Sequence, residues 1–266
     1  MILPPNSASV DWMSESIEEG RTVLRIGWDG QFLIAEWPDA VRLRAREDGS
    51  DVALDVADGI DGALLAKLEN GVVPALLGHL AGKTTLHGSS VAIDDEAIIF
   101  LGASGSGKST FAAHLCSTGR AALLADDMAR IVRRENAFWC APSEENHWLM
   151  REAREALGQS EADARVKAPV AAFSKAEQES RIRALIFLHW GEELGLRRMK
   201  TAHSMVAISP TLVRFDLKNR EVMRRDFEHL GDLCTQIPSY ELIRPKDFSK
   251  LNDSMNLIFG MLRGSQ

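Results

Sequence analysis

Hydrophobic and polar residues alternate with a period of two along the first part of the chain. Residues 22–28 and 31–36 alternate around Trp28-Asp29-Gly30, and residues 41–46 and 51–56 alternate around a second turn. This period puts successive side chains on opposite faces of a strand, so it predicts a small antiparallel sheet with one buried face. Apolar residues then recur with helical spacing from 60 to 68 and from 73 to 80. They predict two short helices, with Asn70-Gly71 as the stop between them.

The pattern changes after residue 82, where we place a domain boundary. Residues 86–93 and 97–101 predict two strands, a Gly-rich loop and a helix follow, and residues 122–125 predict another buried strand. A strand, loop, helix and strand in this order predict a βαβ unit of an α/β domain. The sequence therefore predicts a small N-terminal α+β module at residues 1–82 and an α/β domain at 83–266. Further along the chain we expect strands at 184–190 and 194–199, and helices at 174–183, 221–234 and 246–262.

Composition narrows the class of protein. The 266 residues carry 31 Lys+Arg against 38 Asp+Glu, a formal net charge of −7, and 45% of them are hydrophobic. This balance favours a folded protein that does not bind nucleic acid, because neutralising phosphates requires clustered basic residues. No apolar run approaches the ~18 residues of a membrane span. Residues 1–12 contain no basic segment followed by a long apolar one, so we expect no secretory signal. The three cysteines form no CxxC pair, so we expect free thiols in a cytoplasmic protein without a membrane partner.

Residues 102–109 match the phosphate-binding pattern G-x-x-x-x-G-K-[ST] at every position. Glycines let the backbone curve around a polyphosphate and direct N–H groups at its oxygens, and the helix that follows adds its positive N-terminal end. Lys108 would reach the β- and γ-phosphates, and the Ser109 hydroxyl would hold Mg²⁺. A Gly/Ser turn with an incidental lysine is the alternative, and the flanking strand and helix argue against it. The predicted nucleotide-binding residues are Gly102, Ala103, Ser104, Gly105, Ser106, Gly107, Lys108, Ser109 and Thr110.

Two adjacent carboxylates, Asp126 and Asp127, follow the next predicted strand. Ligands of open α/β sheets bind at the carboxyl ends of the strands, which predicts that this pair lies beside the phosphates. One carboxylate would hold Mg²⁺ and the other would accept the proton of an attacking hydroxyl. The alternative is an Asp pair that caps a turn or a helix. His87 precedes the loop by one predicted hairpin, and a lone histidine is more often a core or edge residue than a catalyst.

The stretch 86–93, the Gly-rich loop and Leu124-Ala125-Asp126-Asp127 together resemble the catalytic domain of bacterial HPr kinase/phosphorylase. The sequence is more similar to short HPr-kinase-like proteins, including those that accompany lasso-peptide clusters. The resemblance is strong over residues 84–130 and loose beyond them. It implies an HPr-kinase-like P-loop fold with a mixed sheet and flanking helices, ATP and Mg²⁺ as cofactors, and a homo-oligomer. It also implies Asp126 as the catalytic base, Asp127 as a residue near the metal, and His87 as the histidine that supports Asp126.

Two departures limit what the resemblance implies. Thr110 stands where HPr kinases have an acidic residue, and the downstream Pro/Gly/Arg-rich signature of the family is not recognisable. The resemblance therefore does not extend to HPr as the substrate or to the reverse phosphorylase reaction. The sequence predicts an ATP- and Mg²⁺-dependent kinase that phosphorylates a Ser or Thr hydroxyl of a protein or peptide.

Two other functions fit the same residues: a nucleotide-binding regulatory module without phosphotransfer, and a small-molecule kinase. Weaker signals lie elsewhere in the chain. Residues 165–169, which include Lys167, predict a solvated loop, with delivery of positive charge to the γ-phosphate as the alternative. Trp190 and His147-Trp148 are candidates for stacking on adenine, although tryptophans are more often core or interface residues.

Overall fold

The computed structural model describes residues 10–18, 20–159, 167–214 and 220–264. The chain divides into two compact units. The first comprises Met1–Lys83 with Val213–Met223, and the second comprises Thr84–Leu212 with Arg224–Gln266. Each unit has its own sheet, so each is described separately.

The first unit contains a five-stranded antiparallel meander in which consecutive strands pair. Burial alternates along the fourth strand, where Val41, Leu43 and Ala45 face the core and the two arginines between them do not. The antiparallel sheet with one buried face that the period-two pattern predicts is confirmed. The strands are β1 (Asp11–Glu18), β2 (Arg21–Trp28), β3 (Leu33–Trp37), β4 (Val41–Ala45) and β5 (Ala53–Val56).

A continuous helical run completes this unit: α1 (Gly62–Lys67), a π-helical segment (Leu68–Val72) and α2 (Val73–Leu80). The predicted stop at Asn70-Gly71 is wrong, because both residues lie inside the π-helical segment. A π turn inserts one extra residue without ending the helix. The helical run therefore stays continuous while its apolar residues remain against the sheet.

The second unit is built on a nine-stranded mixed sheet of order β6-β10-β11-β14-β8-β7-β9, with β16 beside β14 and β15 beside β16. Among the strands that the structure describes, β14 makes the parallel pairs, with β8 and with β16, and a single parallel bridge joins Leu123 of β9 to Lys175. A separate antiparallel pair, β12 and β13, completes the strands. The strands are β6 (Thr84–His87), β7 (Ser89–Ile93), β8 (Glu96–Leu101), β9 (Ala122–Ala125), β10 (Met128–Arg134), β11 (Ala137–Ala141), β12 (Asn146–Met150), β13 (Lys167–Ala171), β14 (Ser180–Trp190), β15 (Gly195–Arg198) and β16 (Ser239–Arg244).

Helices cover both faces of this sheet, so its central strand β8 is buried on both sides. Ile99 and Leu101 face a cluster that includes Leu230 of one long helix. Phe100 faces the opposite cluster, where it packs edge-to-face on Phe111 with ring centroids 5.2 Å apart. A strand covered on both faces fits an α/β domain and gives the loop after it a rigid base. The helices are α3 (Lys108–Ser117), α4 (Arg151–Ala156), α5 (Thr201–Ile208), α6 (Arg220–Gln236) and α7 (Leu251–Gly264).

The stretch 86–93 is two strands rather than the single predicted one. The two strands meet at Gly88, where the chain changes partners: β6 pairs with β10, whereas β7 pairs with β8 and β9. Only glycine fits at this point, because a Cβ there would lie 2.7 Å from the carbonyl oxygen of Phe100.

The predicted helix at 174–183 is also wrong. The backbone of Leu123 at the end of the sheet donates to Ser174 and accepts from Ala176, both at 2.8 Å. These long-range bonds hold the segment extended, and β14 then begins at Ser180. The predicted return strand forms as β15, but it pairs with β16, which comes from much later in the chain.

Two absences concern the chain as described in the four ranges above. Cys116, Cys140 and Cys234 are all buried, and none of the three forms a disulfide. Within those ranges no helix has the length and apolar character needed to cross a membrane.

Candidate functional site

The Gly-rich loop, residues 102–107, connects the buried end of β8 to the first residue of α3. Its backbone has positive φ at Gly102 (138°), Gly105 (76°) and Gly107 (83°), a conformation that L side chains rarely adopt. The Ser106 N–H donates to the carbonyl of Ala103 at 3.1 Å and closes a tight turn at the tip of the loop. The glycines of the pattern are therefore required by the path of the backbone.

Lys108 folds back onto the loop that precedes it. Its ammonium donates to the carbonyls of Gly102 at 3.0 Å and Ala103 at 3.1 Å, and the residue is 7% exposed. Burial lowers the pKa of Lys108, the negative charge of Asp127 opposes that shift, and the positive charge of Lys167 adds to it. In the described ranges Lys108 forms no ion pair. Its ammonium is bonded directly to the two backbone carbonyls, and the charges of Asp127 and Asp126 act on it from beyond ion-pair distance.

The Asp126-Asp127 pair lies at the same edge of the sheet as the loop. β8 and β9 are both antiparallel to β7, hence parallel to each other, and their carboxyl ends coincide. Asp126 is 0% and Asp127 is 7% exposed. Asp126 Oδ2 accepts the Trp148 N–H at 2.7 Å, and Oδ1 accepts the Ser89 hydroxyl at 3.2 Å. Both oxygens of Asp126 are therefore engaged by neighbouring strands, whereas the charge of Asp127 acts more strongly on Lys108.

One oxygen of Glu144 holds the turn that carries these two aspartates. Glu144 Oε2 accepts the N–H groups of Asp126 and Asp127, each at 2.7 Å, and of Met128 at 3.1 Å. Burial raises the pKa of Glu144, with further contributions from the negative charges of Asp127 and Asp126. No sequence pattern pointed to Glu144, because it lies beyond two intervening strands and matches no motif.

A histidine that the sequence did not point to as a support for Asp126, His147, lies beside that carboxylate. His147 is 0% exposed, and its Nδ1 lies 3.8 Å from Asp126 Oδ1. Neither ring nitrogen has a hydrogen-bond partner among the residues that the structure describes. This burial leaves His147 no free face for stacking on adenine.

His87 is exposed at the end of β6, opposite Met128 in the register. The structure thus puts it next to the acidic turn across the β6–β10 strand pair, on the solvent side. Its supporting role for Asp126 stays a prediction.

Lys167 is the first residue of β13, which pairs with β12, so the predicted loop at this point is a strand. The side chain is exposed, and its charge acts on Lys108. Arg165 and Val166 of the same predicted loop lie outside the described residues.

One aromatic residue and one basic residue donate hydrogen bonds to carbonyls of the loop, on the side that we call its outer side. Trp190 ends β14 and Arg244 ends β16, and the two are direct partners in the parallel register. The Trp190 indole N–H donates to the carbonyl of Gly105 at 3.0 Å, and Arg244 Nη2 donates to that of Ser106 at 3.0 Å. Sequence patterns missed Arg244 because nothing local links it to a loop 138 positions away.

Around the loop the structure gathers one buried lysine, two buried aspartates and a half-buried hydroxyl, Ser109. No group of three or more His, Cys, Asp or Glu side chains with metal-binding geometry occurs in the described ranges. Mg²⁺ at phosphate sites commonly takes only one or two protein ligands, the others being phosphate oxygens and water. Ser109 and Asp127 are the side chains of the expected types at this edge.

No protein-family model matches the sequence, and a search of curated proteins finds no match. Among solved structures, the Hpr(Ser) kinase/phosphatase from Coxiella burnetii aligns with a TM-score of 0.36 and 12% identity. The alignment covers 68% of this chain and 99% of that chain. A TM-score this low does not establish a shared fold or a shared function.

Proposed function

We propose that this chain is an ATP- and Mg²⁺-dependent kinase that transfers the γ-phosphoryl group to a Ser or Thr hydroxyl of a protein or peptide. One observation carries the proposal. One edge of the mixed sheet brings together the Gly-rich loop with its positive φ angles, the buried Lys108 ammonium and the Asp126-Asp127 pair. Phosphoryl transfer asks the protein for positioning and charge neutralisation, and these groups supply both.

A polyphosphate fits the loop because of the charge on Lys108. The ammonium is buried against two carbonyls and has no anionic partner among the described contacts. A phosphate group would supply the missing negative charge, and the N-terminal end of α3 favours an anion at the same place. Ser109 and Asp127 would hold Mg²⁺, which neutralises phosphate charge when bound.

In the transfer step, the acceptor hydroxyl oxygen bonds to the γ-phosphorus, the bond between that phosphorus and the ADP oxygen breaks, and the hydroxyl proton passes to a carboxylate. We assign the proton to Asp126 and the metal to Asp127. Of the two histidines proposed to support Asp126, we assign the larger part to the buried His147 and the smaller part to the exposed His87. The two oxygens of Asp126 already accept hydrogen bonds. Catalytic hydrogen bonds often rearrange when substrate binds, so this geometry does not rule Asp126 out as the base.

The acceptor, as a protein or peptide, and a homo-oligomeric state are part of the same proposal. The test is incubation of the purified protein with γ-labelled ATP, Mg²⁺ and a cell extract. A labelled protein or peptide is expected with the wild type and with Lys200→Ala, an exposed lysine at the start of α5. It should be absent with Lys108→Ala. Labelling that persists in Lys108→Ala, or nucleotide binding without any transfer, would refute the proposal.

The second candidate is a nucleotide-binding regulatory module without phosphotransfer. The complete burial of Asp126 favours it, because a base must reach its substrate whereas a binding switch needs none. The labelling experiment separates the two, since a regulatory module binds nucleotide in a Lys108-dependent way and labels nothing.

A further inference from the structure

The outer side of the Gly-rich loop is held by side chains from two strands that are far apart in sequence. Trp190 Nε1 donates to Gly105 O at 3.0 Å. Arg244 Nη2 donates to Ser106 O at 3.0 Å and lies 3.5 Å from Gly107 O. Three successive carbonyls of the loop are thus engaged from the side on which the strands end.

These contacts fix the direction of specific peptide groups. In a trans peptide the N–H points away from the carbonyl of the preceding residue. Holding the carbonyl of Ser106 on the outer side therefore turns the N–H of Gly107 to the opposite side. Trp190 fixes the preceding peptide, whose N–H closes the turn onto Ala103. The carbonyl of Gly107 also accepts the Phe111 N–H at 2.9 Å, the first hydrogen bond of α3.

Arg244 is itself an unusual group. It is 3% exposed, and its guanidinium lies over the Trp190 ring at 4.1 Å and near the Phe111 ring at 5.4 Å. Burial lowers its pKa to about 10, so it stays protonated at neutral pH. No carboxylate pairs with it in the described ranges, and its Nε has no hydrogen-bond partner there. A buried cation without an anion is costly, which suggests a function that its position serves.

Trp190 and Arg244 also fill the space beside Gly107. A Cβ on Gly107 would meet Arg244 Nη2 and would approach the Trp190 ring to 3.2 Å. The loop backbone, the indole and the guanidinium are therefore in direct contact, with no room for a side chain between them.

We infer that Trp190 and Arg244 are positioning residues that preorganise the Gly-rich loop for a polyphosphate, with Arg244 adding a positive charge behind it. They act through the loop backbone and do not touch the anion. The inference deepens the proposed function, since it rests on the loop binding phosphate but not on phosphotransfer.

The test measures binding of inorganic pyrophosphate by calorimetry, together with hydrogen–deuterium exchange of the loop in the ligand-free protein. Trp190→Phe keeps an aromatic ring beside Arg244 but removes the N–H donor and part of the ring area, and because Trp190 is 39% exposed the variant is expected to fold. Loss of one hydrogen bond predicts about fivefold weaker pyrophosphate binding and faster exchange at residues 103–108. Arg244→Gln should weaken binding by about 50-fold, and Arg244→Lys should restore part of the loss. Trp139→Phe, in β11, is the matched control that changes neither readout.

The outcomes separate this inference from the proposed function. If Trp190→Phe and Arg244→Gln bind pyrophosphate as tightly as the wild type while Lys108→Ala does not, the inference is overturned and the kinase proposal stands. If both variants lose affinity and the loop exchanges faster, but no acceptor is ever labelled, the inference stands and the kinase proposal fails. A wild-type protein that does not bind pyrophosphate refutes both.

Discussion

Nδ1 of His147 lies 3.8 Å from Oδ1 of Asp126, and both side chains are completely buried. The imidazole is carried by β12, which also supplies the Trp148 N–H bonded to the same carboxylate. One strand thus encloses Asp126 on two sides. His147, which lies next to Asp126, therefore comes from β12, a segment that contains no recognisable sequence motif.

Replacing His147 should therefore affect transfer more than replacing His87. His147→Asn removes the ring beside Asp126, and we expect kcat to fall about tenfold with nucleotide affinity unchanged, the equivalent of about 1.4 kcal/mol. His87→Asn, on the exposed end of β6, should change kcat by less than about twofold. Steady-state kinetics with both variants measures the difference. A larger loss in His87→Asn would return the supporting role to His87.

The two aspartates are separated by a pair of amide variants. With Asp126 as the base, Asp126→Asn is expected to lower transfer by roughly 10²–10⁴-fold while ADP binding stays the same, because only proton acceptance is lost. With Asp127 as the metal residue, Asp127→Asn should raise the Mg²⁺ concentration needed for half-maximal activity. Titrations of Mg²⁺ and ADP against both variants make the comparison. The opposite assignment is indicated if Asp126→Asn retains transfer and Asp127→Asn abolishes it at saturating Mg²⁺.

Glu144 gives a stability prediction that needs no substrate. Burial and the two aspartates raise the pKa of Glu144 above its ordinary 4.5 in the folded protein. Folding then takes up a proton in the pH range above 4.5, so the stability of the wild type relative to Glu144→Gln falls as pH rises through that range. Melting temperatures of the ligand-free proteins between pH 4.5 and 8 measure this. A difference that is constant with pH would contradict it.

The matched variant for Glu144 is alanine. Glu144→Gln keeps an oxygen that can accept the three N–H bonds, whereas Glu144→Ala leaves buried donors unpaired. We expect the alanine variant to be less stable than the glutamine variant by about 2 kcal/mol at pH 7. Equal stability of the two would show that the three bonds contribute nothing.

The features that could be predicted from the sequence depend on residues close together along the chain. The positions of Gly102, Gly105 and Gly107 follow from a short pattern, and the strand before them and helix after them have their own apolar periodicity. Asp126-Asp127 was found because it ends an obvious buried strand. The alternating strands of the N-terminal sheet are also local, since each pairs with its neighbour along the chain.

What the sequence did not predict depends on long-range pairing. Residues 174–183 are rich in residues with high helix propensity, yet backbone bonds to Leu123 hold the start of this segment extended, so tertiary contacts outweigh propensity. Glu144 and His147 reach the acidic turn only because β10, β11 and β12 fold back across the sheet, and none of these strands was predicted. Arg244 reaches the loop through the parallel pairing of β14 and β16. Single-sequence patterns do not carry this information.

Lys108 should show a conflict between stability and ligand binding. Burial lowers its pKa below 10.5, which means that folding disfavours its charged form. We therefore expect ligand-free Lys108→Met to melt no lower than the wild type at pH 7. Any advantage of the variant should shrink as pH rises towards 10.5, because the folded wild type releases its proton before the unfolded chain does.

With nucleotide bound, we expect the wild type to melt at a higher temperature than Lys108→Met. ADP at about 100 times its Kd stabilises a protein that binds it by about 2.7 kcal/mol, a shift that Lys108→Met should lack and Lys108→Arg should keep in part. Thermal scans with and without ADP at pH 7 and pH 9.5 measure both effects. A Lys108→Met protein that melts well below the wild type without ligand, yet still gains the full shift with ADP, would mean that Lys108 stabilises the fold and does not bind phosphate. The expected result is the reverse, because the described hydrogen bonds of this buried ammonium go only to two carbonyls of the loop itself.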